Sequence, residues 1–258
     1  MIPFSKKLPL LLKTLPTYKN KAYCLWTARR TGGTSLSYIL RILNNLPTAQ
    51  DEAFNPERIF GLLSYEYFNM NNKHAFESYR DIFFREKVCF KHSYGNLNAE
   101  FQSKLFAFLS ELEYSHIHLC RENKLQQYLS YILAERSNIW SSRDTQAYLN
   151  LEAFDVDLKK LGIYIKRNEQ QQAFITRILD ERNSLNVSFE ELFTGSLDES
   201  INAIQKIMQF LSIPESALEE NYDIIKNVIT QSSQNSRDYY KLINNYVAVE
   251  KLIQNLSS

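Results

Sequence analysis

Four short stretches concentrate apolar, β-branched and aromatic residues between polar turns: KAYCLWTA (21–28), KVCFKH (87–92), YSHIHLC (114–120) and LNVSF (185–189). Their length and flanking residues predict buried strands. Between them the apolar positions recur with helical spacing. In TSLSYILRILNN, Leu36, Ile39, Leu40 and Leu43 share one stripe, and in KLQQYLSYILAER so do Leu125, Leu129, Ile132 and Leu133. Residues 98–112 predict a third amphipathic helix, 152–182 one or two more, and 198–257 a helical C-terminal part interrupted at Pro214. Strands alternating with long helices predict an α/β fold: a central, mostly parallel sheet flanked by helices. No repeat, low-complexity tract or linker divides the chain, so residues 1–258 read as a single domain, with 1–20 as an N-terminal arm.

In such sheets ligands sit beyond the carboxyl ends of the strands. The first three runs end in unusual polar sequence there: RRTGGTS, KHSYGN and RENK. The first places two of only six glycines side by side ahead of a helix opening with Thr34 and Ser35. Strand, glycine loop and helix N-terminus form an arrangement for holding an anion, because backbone N–H groups converge and the helix dipole adds positive potential. Arg29 and Arg30 add formal charge, Thr31 and Thr34 hydroxyl donors. A tight turn with a Thr/Ser cap is the plainer alternative. No glycine is followed by Lys-Ser or Lys-Thr, and G-x-G-x-x-G is absent, so neither a Walker loop nor a dinucleotide fingerprint is present.

TARRTGGTSL resembles the loop with which sulfotransferases bind the 5′-phosphosulfate of 3′-phosphoadenosine-5′-phosphosulfate (PAPS). The resemblance implies a P-loop-like sulfotransferase fold of the bacterial carbohydrate or glycolipid type. It implies that Arg29, Arg30, Thr31, Gly32, Gly33, Thr34 and Ser35 hold the donor. HIHLCRENKLQQYLS is similar to the family's second element and implies Arg121 and Ser130 on the 3′-phosphate, with Glu122 altering the commonest spacing. LNVSFEELF resembles the strand exit that stacks on adenine, with Phe189 in place of the usual Tyr; Glu190 and Glu191 beside it read as structural. QDEAFNPERIFG resembles the Glu-Pro-Phe-Asn stretch whose glutamate takes the acceptor proton, so Glu52 is the candidate base, Ala53 replacing the proline. FKHSYGN is similar to the Lys-Thr-His of other members and makes His92 the rival base beside a site-lining Lys91. Arg58 and Trp140, the latter in AERSNIW, are implied at the acceptor. FLSI and INNYVAVEKLI complete the resemblance, which spans about 20 to 255.

The implied activity is transfer of a sulfuryl group from PAPS to a hydroxyl of a carbohydrate or glycolipid, leaving adenosine 3′,5′-bisphosphate, with no metal. Two alternatives remain beside it: an unusual P-loop phosphotransferase, and a non-catalytic nucleotide-binding protein on the same scaffold. A net charge of +1 argues against a nucleic-acid partner. Cys24, Cys89 and Cys120 lie in apolar runs without metal or redox spacing, as small buried hydrophobes in a reducing compartment. MIPFSKKLPLLLK is too short and too broken by Pro9 to span a bilayer. The expected location is cytoplasmic, with an N-terminal arm packed on the domain or touching a membrane surface.

Overall fold

A computed structural model describes residues 20–72, 74–95, 97–138, 140, 151–179, 183–233 and 236–257. The expected N-terminal arm, except Asn20, and residues 141–150, which follow Trp140, lie outside that set. Five strands form one all-parallel sheet: β1 (Tyr23–Thr27), β2 (Thr48–Glu52), β3 (Cys89–Ser93), β4 (Ser115–Cys120) and β5 (Ser184–Ser188), in the order β2-β3-β1-β4-β5. The three central strands are buried along almost their whole length; β1 is apolar except for Thr27, whereas β3 and β4 also bury Lys91, His92, Ser93, Ser115, His116 and His118. The edges differ: TAQDE of β2 is largely polar, and β5 is buried only at its end.

Helix α1 (Gly33–Leu43) follows β1 and buries Leu36, Ile39, Leu40 and Leu43 as its sequence predicts. Three short helices come between β2 and β3: α2 (Gly61–Asn69), α3 (Ala75–Ser78) and α4 (Arg80–Glu86). Next are α5 (Ala99–Glu111), α6 (Lys124–Ser137) and the single long α7 (Leu158–Leu179). After β5 come α8 (Phe189–Phe193), α9 (Leu197–Leu211), α10 (Ser216–Ser233), a 3-10 turn over Ser236–Leu242 and α11 (Tyr246–Ser257), with Pro214 between α9 and α10 as expected.

The main core lies along the sheet and includes Trp26, Phe90, Ile117 and Leu119 with α1, α5, α9 and α10. A second cluster, with Tyr128, Leu133, Ile165, Val249 and Ile253, fastens α6, α7 and α11 together. The strand order positions the site. From β1 the chain crosses β3 to reach the edge strand β2, whereas from β3 it crosses β1 to reach β4. Right-handed crossovers in opposite directions put the following helices on opposite faces and open a crevice at the carboxyl ends of β1 and β3. The Arg-Arg-Thr-Gly-Gly loop lies at that point.

Candidate functional site

The loop leaving β1 makes its turn with two left-handed residues, Arg30 (φ 64°) and Gly32 (φ 83°). Glycine is demanded twice over at position 32, because a Cβ there would meet Phe189 and Phe193 at 2.8 Å. At Gly33 a Cβ would come within 2.8 Å of Thr27 Cγ2, so the second glycine lets α1 start directly above β1. Arg30 has no such freedom, and its conformation costs about 1 kcal/mol or more. Contacts from other elements hold it. Arg30 Nε donates to Ser130 Oγ (2.9 Å), one of its terminal nitrogens donates to the Trp140 carbonyl (2.9 Å), and Arg121 donates to the Arg30 carbonyl (3.2 Å). Thr31 Oγ1 donates to the Ala28 carbonyl (2.9 Å), so this hydroxyl braces the turn.

Helix α1 starts on Gly32, which has no side chain with which to cap it. Its first-turn N–H groups are the orphan donors of any helix start and sit at the positive end of the dipole. Lys91 Nζ reaches this point from β3 and donates to Thr34 Oγ1 (3.3 Å).

Arg121 and Ser130 come to this same loop. Both are buried, and both close on Arg30. Arg121 also donates to Gln126 Oε1 (3.0 Å) and lies 4.1 Å from the centre of the Phe189 ring. Phe189, the residue expected at the adenine, is 5% exposed, packed against Gly32 and Phe193 and covered by Arg121. Glu190 and Glu191 have the structural roles their sequence suggests. Glu190 accepts the N–H groups of Glu122 (3.0 Å) and Asn123 (3.1 Å), and Glu191 completes a capping box with Ser188.

Glu52 ends β2, a strand its polar sequence concealed, and pairs in register with Lys91. It lines an open cavity of about 410 Å³ with Arg29, Phe54, Ser64, Tyr65 and Phe68. His92 is separated from this cavity. It is 2% exposed and meets Trp26 and Phe54 edge-on at 5.0 and 5.4 Å. Burial pushes its imidazole down to about 3, so it is neutral at ordinary pH. A general base must come within hydrogen-bonding reach of the proton it takes. Glu52 lines the cavity and His92 does not, so the geometry favours Glu52 of the two candidates. Trp140 packs on the loop: its ring lies 5.4 Å from the Arg29 guanidinium and its carbonyl binds Arg30. Arg58 is exposed on the turn after β2.

One residue of the loop's support carries no sequence motif. Gln127, buried in α6, donates from Nε2 to the Arg29 carbonyl (3.0 Å). Nothing in KLQQYLSYILAERS distinguishes it from Gln126 beside it. Among the described residues no group of three His, Cys, Asp or Glu could hold a metal ion, and no helix is long and apolar enough to cross a membrane. No protein-family model and no curated protein matches the chain.

Proposed function

We propose that the chain is a sulfotransferase that moves a sulfuryl group from PAPS to an acceptor hydroxyl, the class of activity its loop sequence resembles. One observation carries the reading: Arg29 of the anion-type loop and Glu52, the candidate base, line the same cavity. The residues suit the 5′ end of such a donor, because Gly32 brings no Cβ to the turn and the α1 N-terminus has no side-chain cap. At the other end the fit requires rearrangement, since Arg121 lies against Phe189 and Gln126. When bound, the donor supplies the sulfuryl group. The protein's own part is positional and electrostatic, as in transfers through loose transition states. Arg30, Lys91 and the N–H groups of α1 hold the charge that develops on the phosphate side. Glu52 takes the proton of the acceptor hydroxyl. Phe54, Tyr65 and Phe68 form the apolar wall against which a carbohydrate or glycolipid acceptor rests.

The placing of Lys91 also favours a second reading. A lysine delivered from β3 to Thr34 at the helix start could substitute for the missing Walker lysine and serve an ATP phosphotransferase. Thermal unfolding with adenosine 3′,5′-bisphosphate and with ATP–Mg separates the two. A ligand at a hundred times its Kd stabilises by about 2.7 kcal/mol. Selective stabilisation by the bisphosphate, with labelled sulfuryl transfer to a glycan or glycolipid panel, supports the first reading. Preference for ATP–Mg overturns it, and silence toward both overturns both.

A further inference from the structure

We infer that Gln127 is a positioning residue for the anion loop, acting on the backbone of Arg29 rather than on a ligand. The inference rests on the reading of that loop as the anion site. Two consecutive carbonyls are held from the β4–α6 side: Arg29 by Gln127 Nε2 at 3.0 Å, and Arg30 by Arg121 at 3.2 Å. In a planar trans peptide the carbonyl and the following N–H point in opposite directions. Holding these two carbonyls toward α6 therefore turns the N–H groups of Arg30 and Thr31 away from it. Successive N–H groups turned to one side around left-handed residues form the concavity in which backbone binds anions. Arg29 and Gln127 are far apart in sequence, so no local preference produces this arrangement; the fold imposes it.

The chemistry of position 127 points the same way. Gln127 is 1% exposed, and its Oε1 is buried with no hydrogen-bond partner among the described residues. Burying an amide oxygen unmet is unfavourable, and a leucine of similar size would fill this place without that cost. An amide half used at a buried position makes sense through its one hydrogen bond, the one to Arg29. Arg121 supports the neighbouring carbonyl, and Ser130 accepts from the Arg30 guanidinium (2.9 Å), so three α6-side residues fix two loop residues.

The test is Gln127→Leu in the full chain, with Gln127→Met as a second variant should the first fail to fold. Amide hydrogen exchange over 29–34 is followed without ligand, beside thermal unfolding and the Kd for adenosine 3′,5′-bisphosphate. The expected result is faster exchange in that segment, an unfolding temperature equal to or above that of the unaltered chain, and about tenfold weaker binding, the equivalent of one hydrogen bond. Gln102→Leu is the control. That glutamine is equally buried but holds the carbonyls of Tyr94 (2.6 Å) and Leu97 (2.9 Å), so its loss should leave exchange at 29–34 unchanged. If the unaltered chain binds the bisphosphate and Gln127→Leu binds it equally well, the inference is overturned while the site stands. If the unaltered chain does not bind, the nucleotide reading falls, and unchanged exchange over 29–34 then overturns the positioning role on its own.

Discussion

Two strand-to-helix junctions, β1–α1 and β4–α6, stand side by side in the sheet and treat the same electrostatics in opposite ways. At β4–α6 the helix start is filled by the chain itself: Asn123 Oδ1 accepts from Gln126 N (3.0 Å), and the Glu190 carboxylate receives two further N–H groups. At β1–α1 the cap is glycine, the flanking charges are arginines, and Lys91 reaches in from β3. Every helix N-terminus favours an anion. What separates a structural junction from a binding site is whether the protein provides that anion from its own side chains. In this protein one junction takes an internal carboxylate and its neighbour is cradled by cations.

The largest predicted effect strikes both junctions at once. Trp26 on β1 donates from Nε1 to His116 Nδ1 on β4 (3.1 Å), and burial pushes His116 down to about 4 as it does His92 to about 3. Depressed folded-state values in a base mean that the unfolded chain binds protons first. Stability is therefore complete above the unfolded value near 6.5 and is lost as the pH falls below it. By pH 5 each histidine should remove about 2 kcal/mol, read by urea unfolding at pH 7.5 and 5. A flat profile across that window would contradict the buried placement of both rings. Gly32→Ala confines the damage to the β1–α1 junction. A left-handed backbone and the 2.8 Å approach to two phenylalanines together predict a loss of about 3 kcal/mol by the same measurement. Arg30→Ala tests the chemistry of that junction rather than its shape. On the sulfotransferase reading proposed above, sulfuryl transfer should fall about 10²-fold, more than nucleotide affinity does, as for removal of one preorganised donor. Transfer near the unaltered rate would reject the role given to Arg30.

The contrast also separates what a sequence reveals from what it conceals. The β1 loop was legible because its adjacent glycines, arginines and hydroxyls all lie within a few positions after an apolar run. Of the three central strands β1 is the most legible, because burial on both faces leaves a nearly apolar run, YCLWT; β3 and β4 show only part of that signature, since they bury lysine, histidine and serine as well. β2 was concealed by the converse. An edge strand needs little apolar sequence, and TAQDE offers a single alanine, so Glu52 was noticed as a motif without its strand. Helices α2 to α4 are short and aromatic, and no clear stripe marks them in the sequence. The convergence of Arg121, Gln127 and Ser130 on residues 29 and 30 depends on contacts between β4–α6 and the first loop. No local periodicity encodes such contacts. For the same reason the burial of Phe189 under Arg121 could not be read from LNVSFEELF.

The smallest predicted effect sharpens the comparison most, because it opens the filled junction. Glu190→Ala removes the carboxylate from the N–H groups of Glu122 and Asn123 but leaves the Asn123 side-chain cap in place. The expected loss is about 1 kcal/mol, since one cap and one favourable charge at a helix start carry about that much. The freed donors then resemble those of α1. Sulfate stabilises proteins generally by exclusion from their surface, so only the difference between the two chains is informative. Glu190→Ala should gain more in unfolding temperature from added sulfate than the unaltered chain gains, and Glu190→Gln, which keeps an acceptor oxygen, should gain less than the alanine variant. Equal gains in all three would mean that freed backbone N–H groups beside a helix start are not enough to hold an anion. The β1–α1 junction would then owe whatever it binds to Arg29, Arg30 and Lys91 rather than to its backbone.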